Sequence, residues 1–278
     1  MEMLPWMTTP QGPGVERWFD RCGVARPWIS VITVVGVHVG FPVMSTVQID
    51  ARPTSMRIDP LAAAVVVIDM QNDFASTGGM FDRAGIDVTS IRAIVEPTRS
   101  VLQAARGAGV TICYLKMGFR DDLSDAGHPN SPTWIKHLPL NVGVTVDAPD
   151  GRPSRILIRD TWNTDIISEL APHPADTVLY KHRYSGFFQT PLEGELRQRG
   201  VETLLFVGAT TSVCVESTVR DAMALDFHCL VIEDCVAEPI GANLARTNHD
   251  ASLLTLQTLF ASITDSAAVI SALSSAPV

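Results

Sequence analysis

Three side chains in this sequence could act together chemically: Cys214, Asp69 and Lys181. Cys214 follows an apolar run, Leu204-Leu205-Phe206-Val207, and a turn of small residues, Gly208-Ala209-Thr210-Thr211-Ser212-Val213, and it opens an amphipathic segment. A sulfur at the entry to a helix meets the positive end of the helix dipole, which favours thiolate over thiol. Asp69 closes the apolar run Ala64-Val65-Val66-Val67-Ile68, and Lys181 closes Thr177-Val178-Leu179-Tyr180. A thiolate attacking an amide carbonyl needs activation, a donor for the oxyanion and an acid for the departing amine. Asp69 could take the thiol proton and hand it to the leaving nitrogen. Lys181 could keep both anions charged, and backbone N–H groups of residues 209–214 could form the oxyanion hole. Water would then open the thioester. Singly, each residue has a plainer reading: a turn-capping Asp, a solvated Lys, a small buried Cys. Their joint position at three strand ends favours a shared site.

The elements that must position them alternate. Residues 63–69 read as a buried parallel strand and 110–115, 177–181, 203–207 and 228–233 as further strands, with 261–265 as a candidate sixth. Helical spacing marks 91–108, 163–170, the stretch from Cys214 to about residue 225, and 242–260. Thr190-Pro191-Leu192-Glu193 is a capping box opening a helix that stops at Gly200. The expected class is therefore α/β, a mostly parallel sheet with helices on both faces. Ligands of such sheets bind outside the carboxyl ends of the strands, where strand order reverses. Residues 118–160, polar and rich in Pro, Gly and Asp, are too long for a plain connection and are expected to cover the site.

With 278 residues and 46% hydrophobic content, the chain can bury one large core. A formal net charge of -9 argues against nucleic acid, and no apolar run is long enough for a membrane span. The five cysteines form no CxxC pair and no metal-ligand spacing. Cys113 and Cys229 lie in apolar runs as inert core, a usage that fits a reducing cytoplasm. Residues 1–45, rich in Pro, Gly and Trp, read as a poorly ordered N-terminal extension ahead of a domain at 46–278. Arg21 and Arg26 precede an apolar stretch, but it starts late for a secretory signal and no cleavage site follows.

Three segments resemble the signature stretches of the isochorismatase-like cysteine hydrolases. They are Val66-Val67-Ile68-Asp69-Met70-Gln71-Asn72-Asp73-Phe74, Lys181-His182-Arg183-Tyr184-Ser185-Gly186-Phe187-Phe188, and Gly208-Ala209-Thr210-Thr211-Ser212-Val213-Cys214-Val215-Glu216-Ser217-Thr218. The resemblance implies a Rossmann-like three-layer sandwich with a six-stranded sheet and a catalytic Asp69–Lys181–Cys214 triad. It also implies a non-proline cis peptide, here at Ala209–Thr210, with the N–H groups of Thr210 and Cys214 as oxyanion donors. Gly78-Gly79-Met80-Phe81-Asp82-Arg83-Ala84-Gly85, Ala126-Gly127-His128-Pro129 and the stretch 183–192 are similar to members that act on ureidoacrylate in pyrimidine degradation. Biuret and N-carbamoylsarcosine amidohydrolases share that chemistry and are the alternatives. The resemblance also implies a dimer or tetramer of identical chains.

Asn72, Trp162, Tyr184 and Phe187 are the expected substrate contacts, with Trp162 as an apolar lid; for each aromatic, core packing is the plainer reading. Arg120 and Arg183 could hold a substrate carboxylate or be surface charges. No metal or other cofactor is expected: nicotinamidases of the superfamily place an Asp and two His close together, whereas here His128 stands beside Asp121, Asp122 and Asp125 without that spacing. Two readings lie outside amidohydrolysis. A redox-sensing thiol protein would need a resolving cysteine, for which Cys235 is the candidate. A non-catalytic assembly protein would be expected to have lost part of the triad.

Overall fold

The computed structural model of the chain describes residues 46–276, so the expected N-terminal extension lies outside the described residues. Six strands form one parallel sheet: β1 Ala63–Ile68, β2 Thr111–Met117, β3 Thr177–Lys181, β4 Thr203–Ala209, β5 His228–Ala237 and β6 Ser262–Thr264. Their spatial order is β6-β5-β4-β1-β2-β3, with every neighbouring pair parallel. The chain builds outward from β1 on one side, then returns to build outward on the other. This Rossmann-like order reverses at β1, so the crevice for a ligand opens beyond its carboxyl end.

β1 shows why the sequence folds this way. Ala63, Val65 and Val67 face one core, while Ala64, Val66 and Ile68 face the other, and all are fully buried. A parallel strand covered on both faces needs such an unbroken apolar run. The helices Val95–Gly107 and Ser266–Ser274 pack on the first face. Leu192–Gln198, Glu216–Ala224 and Asn248–Leu259 cover the second.

Several elements depart from the sequence reading for local reasons. The helix expected at 91–108 is divided at Ile94 into Thr89–Ala93 and Val95–Gly107, because Pro97 has no N–H to continue the ladder. Residues 163–170 form two single turns, Trp162–Thr164 and Ser168–Leu170, instead of a helix. Between them the backbone turns to the loop after β1, where Asn72 N–H donates to Asp165 O at 2.9 Å and Ile167 N–H to Met70 O at 3.0 Å. The helix expected at 242–260 begins only at Asn248, where the Thr247 hydroxyl caps the Asp250 N–H at 3.0 Å. The Thr190 capping box does not form: the helix begins at Leu192 with Pro191 before it and no side-chain cap, Thr190 Oγ1 accepts from Leu192 N–H at 3.3 Å, and Glu193 turns to Arg197. β5 runs past Glu233 because a bulge carries Glu233 and Asp234 out of the ladder, toward Arg52 and Ser266. The hairpin Val47–Ile49/Met56–Ile58 and the helix Ser266–Ser274 carried no expectation.

The insertion at 118–160 has structure of its own, the helix Pro132–His137 and the hairpin Thr145–Asp147/Pro153–Arg155. Asp73 ties it down: its carboxylate accepts from Met80 N–H at 2.9 Å, Leu157 N–H at 2.7 Å and the Asn163 amide. Burial pushes this carboxyl up to about 6, against the bonds from Asn163, Leu157 and Met80 that favour its ionised form. The folded chain thus holds the Asp73 proton more tightly than the unfolded chain, and stability falls as pH rises from about 4 to about 6. Relative to Asp73→Asn, urea unfolding should show the native protein losing about 3 kcal/mol across that interval and staying level above it. A difference that stays flat from pH 4 to 7 would show that Asp73 titrates normally.

Candidate active site

Each element delivers one group to the crevice. Asp69 follows β1 directly with φ of 52°, a left-handed turn that Asp tolerates. Its neighbour Gln71, fully buried, clamps this turn to the end of β2. The Gln71 amide donates to Met117 O at 2.9 Å and Thr164 O at 3.2 Å, and accepts from Met117 N–H at 2.7 Å. Lys181 ends β3, two strands from β1, so its stem must cross the end of β2; Nζ passes Met117 Sδ at 3.8 Å. Cys214 lies in a π-type turn, Thr211–Val215, that leads from β4 into the helix Glu216–Ala224. Gly208 lets that turn approach β1, since its φ is +117° and a Cβ there would sit 2.0 Å from Ile68 O. The peptide Ala209–Thr210 is cis.

The three side chains meet. Lys181 Nζ lies 2.7 Å from Asp69 Oδ2 and 3.3 Å from Cys214 Sγ. It also donates to Arg183 O at 3.3 Å. Relative exposures are 1% for Asp69, 0% for Lys181 and 7% for Cys214. Burial raises the Asp69 carboxyl above its ordinary value, opposed by the charge and hydrogen bond of Lys181. Burial works against the Lys181 ammonium, but Asp69 and then Cys214 outweigh it and hold it protonated. Burial first, then the Asp69 charge, push the Cys214 thiol well above the ordinary range, against the pull of Lys181. The resting group is therefore a thiol. The helix end that led the sequence reading to a thiolate is outweighed by desolvation and by the neighbouring carboxylate.

Around Cys214 the turn is held from several sides. Glu238 accepts from Ser212 N–H and Ile240 N–H, both at 3.0 Å. Val213 and Val215 N–H both donate to Thr210 O at 3.2 Å. Thr218 donates to Cys214 O at 2.6 Å and accepts from Gly186 N–H at 3.0 Å, joining this turn to the loop after Lys181.

Asp69, Thr210 and Cys214 open into a cavity of about 120 Å³. Its walls are mostly apolar, with Phe74, Met80 and Phe81 from the segment after β1, Met117 from β2, and Leu140 and Leu157 from the insertion. Lys136, His137 and Tyr184 supply the other polar groups. Of the residues expected to contact a substrate, Tyr184 lines this cavity and the other three are elsewhere. Asn72 gives its amide to Trp162 O at 2.8 Å. Trp162 sits beside Gly78 and does not line the cavity. Phe187 packs on Phe227 with ring centroids 5.9 Å apart. Arg183 spends its guanidinium on Asp125 O and His182 O, and Arg120 lies near Asp125. The sequence reading missed Lys136 and His137. Ser131-Pro132 was a usable signal, an N-cap followed by proline at the first helical position, and Ser131 Oγ does accept from Trp134 N–H at 3.2 Å.

Cys113 and Cys229 are buried, their thiols pushed by burial up to about 11 and about 12. Cys235 belongs to the core on the opposite face of the sheet from Cys214, a poor position for a resolving cysteine. Among the described residues no three of His, Cys, Asp and Glu are grouped as a metal site needs, and no helix is long and apolar enough to cross a membrane.

Residues 63–268 match the family model of the isochorismatase domain. Ureidoacrylate amidohydrolase RutB of Caulobacter segnis is 42% identical over 188 residues, 68% of this chain and 77% of that one. Its namesake in Cronobacter sakazakii is 38% identical over 222 residues, 80% of this chain and 93% of that one. Among solved structures, a cysteine hydrolase from Pseudomonas syringae pv. phaseolicola has a TM-score of 0.66 at 31% identity, covering 79% of this chain and 96% of its own. N-carbamoylsarcosine amidase from Thermoplasma acidophilum has a TM-score of 0.52 at 26% identity, covering 73% of this chain and 96% of its own. The sheet order, the extent of the family match and these relatives agree: the chain belongs to the isochorismatase family of hydrolases.

Proposed function

We propose that this hydrolase is a cysteine amidohydrolase that releases ammonia from the terminal carbamoyl group of a small ureide of the ureidoacrylate type. The observation that carries this reading is the contact of Asp69, Lys181 and Cys214 at the floor of a mostly apolar cavity. Relatives with ureidoacrylate amidohydrolase as their name support the substrate class. Biuret and N-carbamoylsarcosine are the alternative substrates of the same chemistry. Lys136 favours an anionic compound, since it reaches the cavity wall and has no carboxylate partner among the described residues. Free, buried thiols suit a reducing compartment such as the cytoplasm.

The steps follow from the resting protonation. Asp69 takes the Cys214 proton as sulfur adds to the carbamoyl carbon, and no free thiolate is stored beforehand. The N–H groups of Thr210 and Cys214 receive the oxyanion. Asp69 then protonates the leaving nitrogen, the C–N bond breaks, and ammonia departs, leaving an S-linked carbamoyl thioester. Water gives a proton to Asp69 and attacks the thioester, and the released sulfur recovers that proton. The products are ammonia and an N-substituted carbamic acid. Lys181 stays protonated throughout, balancing charge on Asp69 or on sulfur as it moves between them.

Three measurements test this. Cys214→Ala should lower ammonia release from ureidoacrylate at least about 1,000-fold without moving the thermal unfolding midpoint; surviving turnover would remove the nucleophile. The acid limb of kcat/KM should fall at a pH above the ordinary carboxylate range, because it reports Asp69 in the free enzyme. Asp69→Asn should abolish that limb along with most of the rate, whereas an unchanged limb would assign it elsewhere. Lys181→Met strands a buried carboxylate and should cost about 3–5 kcal/mol of stability at neutral pH. That loss should shrink on acidification as Asp69 takes up a proton, and chemical denaturation at two pH values would reveal it.

A further inference from the structure

His137 lines the cavity, yet the chemistry above gives it no task. It ends the helix Pro132–His137 and is 5% exposed. Its Nδ1 lies 2.7 Å from Thr133 O, one helical turn back. A carbonyl oxygen only accepts, so Nδ1 carries the proton and Nε2, on the other side of the ring, is left as a bare acceptor. No described residue donates to Nε2, which leaves it for a ligand. The ring itself is fixed, edge-on to Phe119 at 5.6 Å and tilted against Tyr184 at 5.9 Å between centroids. Burial lowers its pKa, the bond to Thr133 O opposes this, and the charges of Arg183 and Lys181 lower it further, so the imidazole is neutral.

A ureide, whose carbonyl carbon stands between a terminal amino group and an internal N–H, brings a demand that a plain amide lacks. Its carbonyl oxygen goes to the backbone donors and its terminal amino group to Asp69, but the internal N–H still needs an acceptor. Burying that donor unpaired costs about 1–3 kcal/mol. Among the remaining polar groups of the cavity, only the Thr210 hydroxyl competes as an acceptor. Lys136 only donates, Tyr184 is 40% exposed and open to water, and Thr210 O already receives two N–H groups.

We propose that His137 Nε2 accepts the internal N–H of the bound ureide, making His137 the residue that separates ureides from amides of the same shape. The inference deepens the amidohydrolase reading and rests on it. Its test is calorimetric binding to Cys214→Ala protein, where no turnover intervenes. Two probes serve: ureidoacrylate, and glutaconate monoamide, which has a methylene in place of the internal N–H. Adding His137→Phe should weaken ureidoacrylate about tenfold to a hundredfold and change glutaconate monoamide by less than about twofold. His137→Gln, whose side-chain oxygen reaches toward the place of Nε2, should restore most of the ureidoacrylate affinity. Equal weakening of both probes would reduce His137 to a structural role, and unchanged ureidoacrylate binding would also overturn the proposal. If the Cys214→Ala protein binds no ureidoacrylate and the native protein releases no ammonia from it, the ureide reading itself falls. If ureidoacrylate binds regardless of residue 137, only the present inference falls.

Discussion

Asp69 and Lys181 meet at 2.7 Å with neither side chain reaching solvent, and the arrangement of the crevice follows from keeping that contact out of water. A buried charge without a partner costs several kcal/mol, so neither residue can hold its ionised form there alone. The partners come from strands that do not touch, with β2 between them. The lysine stem bridges that gap, and the loop after β1 must turn sharply enough for the aspartate to receive it. Cys214 is then brought against the same ammonium, so a single cation faces a carboxylate and a thiol that share one mobile proton. The pair adds little to stability by being buried. In the proposed mechanism it would supply a base of raised affinity for protons beside a nucleophile that keeps its own until the reaction needs it.

Two kinds of support surround this core. On the sheet, Gln71 fixes the Asp69 turn to the end of β2, and Thr218 fixes the Cys214 turn to the loop after Lys181. Off the sheet, Asp73 anchors the insertion through Leu157 and Asn163. The first set uses backbone groups at the end of β2 and in the turns beyond β3 and β4, where N–H and C=O groups would otherwise be left without partners. The second uses a buried carboxylate, which gives the insertion a fixed attachment beside the cavity it walls.

Much of this was legible in the sequence, and the boundary between legible and hidden is physical. β1 could be read because a parallel strand buried on both faces leaves an unbroken apolar run, and Asp69 and Lys181 could be read because charges end such runs. The small residues before Cys214 marked a tight approach, and Gly208 shows why. Residues 163–170 misled because their backbone partners lie far away in sequence, near Met70 and Asn72, where helical periodicity gives no warning. Trp162 and Phe187 look like pocket residues in a list of aromatics, but only packing decides where an aromatic face goes. The protonation of Cys214 is hidden for the same reason: a helix end is visible in sequence, whereas desolvation is not. Lys136 and His137 stayed hidden because their positions depend on how a long insertion folds back over the sheet.

That insertion gives the crevice a wall of different origin from its floor. The groups proposed to break the bond stand at or just beyond strand ends and are held to one another across the sheet. Lys136, His137 and Leu140 stand on the insertion, which packs on the core of the sheet through Trp134 and Leu140. On the proposed function, substitutions at Lys136 or His137 would change which compound is accepted while the reacting groups remain in register. The two polar side chains of the cavity wall thus belong to a different part of the chain from the three groups that meet beneath it, and each set can be altered without moving the other.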